Sequence, residues 1–392
     1  MATSRAIDRR HFLRLSLLPA AALPLAACDP GAFGGGMSTG GRPGPVQVGL
    51  LVPSGAADPQ LGIISDSLTK AAQLAVAEAE PGLVTLRTYS TAADPGRAQQ
   101  AAQQAKADGA NVILGPLLAQ NAAAVGTVMA SSNTAVLTFS NNSDIAGRNV
   151  LMLGNTFENI AAELGQYAAG QGRRRVFIIN ARSAAEQVIR DAAISGLSGT
   201  GVQVVGSAEF ELSQEGLAAA MPGIANSVRA AGADALLLTS DTQAALPTLV
   251  GMLPDYGLGP SAIQYMGMAR FDRPPSATSL PGLQGGWFTM PDAAPTAEFN
   301  QRYIAANGAA PHLLAPLAYD GIRVIAQQAR KSGPAGVTPQ ALMNAGAFSG
   351  ATGTFRFLSD GTNRRSLSVA TIRNNSVTIL KQASSRLGAT GS

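Results

Sequence analysis

The sequence predicts an α/β fold built as two Rossmann-like lobes. From Val46 onward, short apolar runs bounded by Gly, Pro, Ser or Asn alternate with longer stretches of helical periodicity, which is the signature of parallel βαβ construction. That series occurs twice along the chain. The 392 residues, 46% of them hydrophobic, also suffice for two cores where one would be oversized.

The first strand is expected at Val46 to Val52. Leu61, Ile64, Leu68, Ala71 and Ala75 then recur at spacings of three and four, so one helical stripe faces a sheet, and the helix ends before Pro81-Gly82. Further strands are expected at Leu83 to Thr88, Asn111 to Leu114 and Ala135 to Phe139, with helices at 95–106 and 121–131. Each crossover is long enough for one helix. The second series places strands at Arg175 to Ile179, Val202 to Val205, Ala235 to Thr239 and Ile263 to Met266, and helices at 184–195, 214–231 and 242–252. Gly285 to Met290 reads as a return strand, after which helices at 296–306 and 314–331 complete the first lobe. The tail turns antiparallel: 354–357, 366–373 and 376–380 read as strands, with Ser359-Asp360-Gly361 and Asn374-Asn375 as turns.

Ahead of the fold lies a basic head with Arg5, Arg9 and Arg10, then an apolar segment from Leu15 to Ala27 that is too short to cross a bilayer. Residues 1–27 are expected to be a removable export signal. Asp8-Arg9-Arg10-His11-Phe12-Leu13-Arg14 resembles the twin-arginine signal, although that pattern has Ser or Thr where Asp8 stands. Leu25-Ala26-Ala27-Cys28 resembles the lipobox of bacterial lipoproteins, which implies lipidation of Cys28, the only cysteine. Several acyl chains, at about 0.8 kcal/mol per buried methylene, hold a domain firmly on a membrane. Asp29 resembles an inner-membrane retention signal. Residues 28–45 are rich in Gly and Pro and read as a tether, with a root-mean-square reach of roughly 20 to 25 Å.

Removing the signal takes away four arginines and one aspartate, so 28 basic and 24 acidic residues fall to 24 and 23 and the net charge to +1. No Lys/Arg cluster with interleaved aromatics remains, which excludes a nucleic-acid partner. Catalysis lacks its parts: the processed chain keeps one histidine, His312, and offers neither a nucleophile with its base nor a metal-ligand cluster. No enzyme activity, metal or cofactor is expected. Glu209 and Glu211 read as a solvated strand face, and Arg173-Arg174-Arg175 as a solvated strand start.

Ligands of open α/β sheets bind beyond the carboxyl ends of the strands. The loops there contain Ser54, Gly115-Pro116, Ser140, Asn141, Asn142 and Ser143 in the first lobe, and Asn180, Arg182, Ser240, Asp241 and Met268 in the second. The same residue types are the preferred helix caps and turn formers, so both roles stay open for each. The loop Arg270-Phe271-Asp272-Arg273-Pro274-Pro275 combines Arg and an aromatic with two prolines, which makes Arg270 and Phe271 candidates for contact with a partner.

Several motifs in order resemble the type I periplasmic binding proteins of the leucine/isoleucine/valine-binding group. They are Val48 to Gly55, Gly109 to Pro116, Thr134 to Ser143, Leu317 to Ile325 and Gly350 to Phe357, spread over residues 46–382. The resemblance implies two lobes joined by three crossovers around a ligand cleft, with 46–154 and 292–350 in lobe one, 155–291 and 351–382 in lobe two, and 383–392 as a flexible tail. Within that group, Phe139 to Gly147, Leu153 to Asn159 and Leu280 to Phe288 resemble the lipoproteins that activate penicillin-binding proteins, which implies a peptidoglycan synthase as partner. Those activators are often tied to the outer membrane, so the membrane stays undecided. The alternative is a substrate-binding lipoprotein of an ABC importer for amino acids or other small polar solutes. Amino-acid binders of the group clamp a carboxylate with hydroxyls and backbone amides and hold the ammonium with an acidic side chain. Here Leu117-Leu118-Ala119-Gln120-Asn121 stands where those binders are rich in Ser, leaving Asp241 and Arg182 as the charged candidates.

Overall fold

The computed structural model of the protein describes residues 44–385 and Leu387. The export signal, the lipidation site Cys28, the tether as far as residue 43 and most of the tail lie outside the described residues.

β1 (Val46–Val52), α1 (Pro59–Glu78), β2 (Val84–Ser90), α2 (Pro95–Ala107), β3 (Val112–Leu114), α3 (Ala119–Met129), β4 (Ala135–Thr138) and β5 (Val150–Met152) build a parallel sheet in the order β2-β1-β3-β4-β5. β1 is buried at every position except Gln47, as a strand covered by helices on both faces must be. Asp58 and Asp94 cap α1 and α2 by accepting from the backbone N–H of Gln60 and Arg97, at 2.9 and 2.8 Å, and each is followed by a proline in the first turn. The inner face of α2 is alanine throughout, which lets it approach β1 so closely that a Cβ at Gly49 would lie 2.8 Å from the Ala105 methyl.

The second lobe begins with α4 (Phe157–Gly170) and continues through β6 (Arg175–Ala181), α5 (Ala184–Leu197), β7 (Gln203–Phe210), α6 (Gln214–Ala230), β8 (Ala235–Leu238), α7 (Leu246–Met252), β9 (Gln264–Gly267) and β10 (Trp287–Met290). The chain then returns to the first lobe for α8 (Ala293–Asn307), α9 (Ala315–Ser332), α10 (Pro339–Met343), β11 (Phe348–Gly350), β12 (Gly353–Phe357) and β13 (Asn363–Arg365). β14 (Ser368–Arg373) and β15 (Ser376–Lys381) close the second sheet, whose order is β15-β14-β10-β9-β8-β6-β7, with β14 antiparallel to β10. The chain therefore crosses between lobes after β5, after β10 and after β13. β14 and β15 meet through Asn374 and Asn375, whose φ angles of 51° and 61° match the two-residue hairpin that Asn-Asn signals.

Several boundaries differ from expectation, β7 among them, which runs on to Phe210. Residues 351–365, grouped by the sequence with the second lobe, pack in the first: Phe348, Phe355 and Phe357 form an aromatic cluster with ring centroids 5.7 to 6.0 Å apart, and its burial holds β12 and β13 beside α9. The helix expected over 242–252 starts at Leu246, because Pro247 lacks an N–H and belongs in a first turn. β5, α4, α10, β11 and β13 have no counterpart in the sequence reading, β5 and α4 for plain reasons. Three residues carry too little periodicity to mark a strand, and the buried face of α4 includes the small Ala161, Gly165 and Ala168.

Candidate functional site

The carboxyl ends of β3, β4 and β5 on one side and of β9 and β10 on the other converge on a cavity of about 510 Å³. The turn after β3 is set by Gly115, whose φ is +89° and where a Cβ would lie 2.3 Å from the carbonyl oxygen of Leu51; only glycine fits. It delivers Leu117 and Leu118 to the wall. Phe139, Ser140, Asn141 and Asn142 follow β4, and Gly154 and Asn155 follow β5. Met268 and Arg270 come from the loop after β9, and Thr289, Met290 and Pro291 from β10 and its exit. The segment entering α9 adds Leu313, Leu314, Pro316 and Leu317, while Thr352, Arg365 and Leu367 close the back.

The wall is thus mostly apolar, with a few polar groups fixed by their own hydrogen bonds. Ser140 Oγ accepts from the Asn142 N–H at 3.1 Å, and Asn142 Oδ1 accepts from the Asp144 N–H at 3.0 Å, so both cap the turn they stand on while facing the cleft. Arg365 donates to Thr352 Oγ1 at 2.6 Å, to the Leu153 carbonyl at 3.0 Å and to Asp320 at 3.3 Å, and stacks 4.2 Å from the Phe355 ring centroid. Asp320 also accepts from the Ala351 N–H at 2.5 Å. Burial pushes the Asp320 carboxyl above the ordinary carboxylate range and the Arg365 guanidinium below its own, each opposed by the charge of the other. Asn155 Oδ1, buried at the wall, accepts no hydrogen bond from any described residue.

Of the residues picked out by the sequence, the structure brings Ser140, Asn141, Asn142, Met268 and Arg270 to one cavity. It does not bring the others. Ser54 lies at the end of β1, where its carbonyl accepts from Ser90 Oγ and the Ala92 N–H. Ser143 donates to Glu158 at 2.6 Å on the other side of the turn. Asn180 is wholly buried and donates to the Ala181 carbonyl and to Glu209. Ser240 donates to the buried Glu186 carboxylate at 2.7 Å. Arg182 is exposed and paired with Glu211 at 2.5 Å, and Asp241 is an exposed turn cap that accepts from the Gln243 N–H at 2.8 Å. Neither lines the cavity as a charged ligand contact.

Phe271 corrects a further expectation. Its side chain is 0% exposed, with its ring 5.5 Å from that of Phe288 and close over Gly267 and Gly286, so it offers nothing to a partner. Core packing is what a large aromatic between two glycines serves here. The sequence reading also missed Leu313, Leu314, Met290 and Arg365, which stand on interlobe connections and helix entries where a rule about strand ends does not look. A second cavity, of about 490 Å³, runs along the far half of α9 beside Arg302, Arg323 and Arg330. Among the described residues no group of His, Cys, Asp and Glu is placed to hold a metal, and no helix is long and apolar enough to cross a membrane.

Comparison with known proteins agrees with this geometry. The family model described as periplasmic binding protein matches residues 45–376. Among solved structures, the chain is similar to a putative branched-chain amino acid ABC transporter from Rhodospirillum rubrum, with 18% identity over 86% of this chain and 100% of that one and a TM-score of 0.71. It is also similar to an ABC transporter substrate-binding protein from Desulfitobacterium hafniense in complex with Leu, with 17% identity, 86% and 99% coverage and a TM-score of 0.63. A solute-binding protein of an ABC transporter from Rhodopseudomonas palustris, in complex with 3,4-dihydroxybenzoic acid, matches with 17% identity, 86% and 96% coverage and a TM-score of 0.58. A search of curated proteins returns no match. With two α/β lobes, three connections, a cavity at the strand ends and a family model matched over most of its length, the chain belongs to the periplasmic binding protein family and has its type I, leucine/isoleucine/valine-binding-like fold.

Proposed function

We propose that the protein is the solute-binding component of an ABC importer, capturing a small molecule in the periplasm between its two lobes. The observation that carries this reading is the cavity of about 510 Å³ with walls from both lobes, a size suited to a small solute. The solved relatives described as ABC transporter binding proteins, with Leu in one and a dihydroxybenzoate in another, support it. Binding is the whole of the mechanism: a solute that touches both walls favours the closed arrangement of the lobes by its differential affinity for it. Lipid at Cys28 would keep the loaded domain beside the membrane that holds the permease.

Activation of a penicillin-binding protein asks instead for an exterior contact. Of the two residues expected to make one, Phe271 is buried and Arg270 lines the cleft. Small-angle X-ray scattering of the full chain against a panel of amino acids, organic acids and sugars tests the proposal. At least one solute is expected to reduce the radius of gyration in a saturable way. A panel that leaves it unchanged, with no heat of binding, sends the reading back to the partner surface.

A further inference from the structure

We infer that the cleft selects a small apolar carboxylate lacking an ammonium group, with Arg270 reading the anionic head; this rests on the solute-binding reading above. Arg270 enters the cavity from the loop after β9, and its Nε and one Nη donate to the Asp272 carboxylate at 2.8 and 2.5 Å. That fork fixes the plane of the guanidinium and leaves its other Nη with no partner among the described residues. Arg270 lines the cavity and Asp272 does not, so the carboxylate that balances the guanidinium stands outside the wall. Arg365 stands at the back wall, almost fully enclosed, with one Nη on the wholly buried Asp320 at 3.3 Å and on Thr352, and the other on the Leu153 carbonyl.

No aspartate or glutamate lines the cavity among the described residues. Asp241, the acidic residue that the sequence places at the second-lobe strand ends, caps a surface turn instead. An α-amino acid would therefore carry its ammonium out of water into a cavity that Arg270 and Arg365 line and no carboxylate does. The neutral acceptors there, Asn155 Oδ1 and Asn141 among them, supply hydrogen bonds but do not balance a full charge. A carboxylate meets the opposite situation, since a guanidinium N–H is its natural donor. Leu117, Phe139, Met268, Leu314 and Leu317 then surround an aliphatic or aromatic body.

The test uses 4-methylpentanoate and leucine, which differ only in the α-ammonium, together with benzoate. In calorimetric titration of the full chain, one or both acids are expected to bind, with 4-methylpentanoate at least about tenfold tighter than leucine. Arg270→Ala should weaken the acids by about tenfold or more, while Arg270→Lys, which keeps the charge but loses the fork, falls between. Melting curves of both variants establish that they are folded, and the lysine variant carries the test if the alanine one is not. Leucine binding as tightly as 4-methylpentanoate, or acid binding indifferent to both substitutions, overturns the inference and leaves solute binding standing. Neither acid binding while another solute compacts the protein also overturns the inference alone; no solute compacting it removes the solute-binding reading as well.

Discussion

Glu186 shows how one side chain decides what the cleft offers. It stands three residues after Ser183, which caps α5 by accepting from the Glu186 N–H, so Ser183-Ala184-Ala185-Glu186 carries the pattern of a capping box. Its carboxylate accepts from the Ala181 N–H at 2.6 Å and from the hydroxyls of Thr239 and Ser240 at 2.7 Å, and thereby turns the hydroxyls at the end of β8 inward. Glu186→Ala would strand those buried donors and is expected to lower unfolding stability by about 2 to 4 kcal/mol in urea titration, with solute affinity changed little. His312 is the titratable counterpart. Its Nδ1 accepts from the Leu314 N–H at 3.2 Å, and burial lowers its pKa from 6.5. The unfolded chain therefore binds that proton more readily than the folded one. The stability His312 supplies is complete above pH 6.5, is lost as the pH falls through that value, and levels off below the lowered pKa. Urea midpoints measured from about pH 8 to about pH 5 should fall less steeply in His312→Gln than in the parent over that window.

Among the elements, α9 binds the site to the rest of the first lobe. Its first eight residues, Ala315 to Ile322, are all buried, so its first two turns are enclosed on every side, while Arg323, Gln327, Arg330 and Lys331 give its second half an exposed face. Asp320 at its middle clasps β13 through Arg365, with both side chains almost fully enclosed at 0% and 2% exposure. Asp320→Ala leaves the guanidinium buried and unpaired and is expected to cost about 3 to 5 kcal/mol, read as a lowered urea midpoint. Asp320→Asn, which keeps an acceptor for the Ala351 N–H, should cost less. A strand is legible where its apolar run is continuous: β1 is read from the sequence to the residue, whereas the partly buried β7 is read only at its start. β13, Asn363-Arg364-Arg365, is not, since no propensity marks a strand of polar residues whose last side chain, Arg365, is held by Asp320 and Thr352 from elsewhere.

The whole molecule follows from two sheets and three passages between them. The doubly wound pattern is written in local sequence, and so is the half of the cleft that hangs on strand ends, Ser140 to Asn142 and Met268. The other half, from Leu313 to Leu317, at Met290-Pro291 and at Arg365, arises where the chain passes between lobes or enters a helix, and no local pattern announces which such segments meet. The same lack hides the orientation of Asp241 and Ser240, whose partners lie on α5 and on their own turn.

The first core unites residues 46–153 with residues 299–357. A ribosome adds roughly 5 to 20 residues per second, so Phe299, Tyr319 and Phe355 emerge on the order of ten seconds or more after the sheet they cover. Throughout that interval the nascent polypeptide carries an uncovered Val- and Leu-rich surface. Its successful biogenesis depends on something that shields this surface until those residues arrive, since the second lobe, closed by β14 and β15, is finished later still.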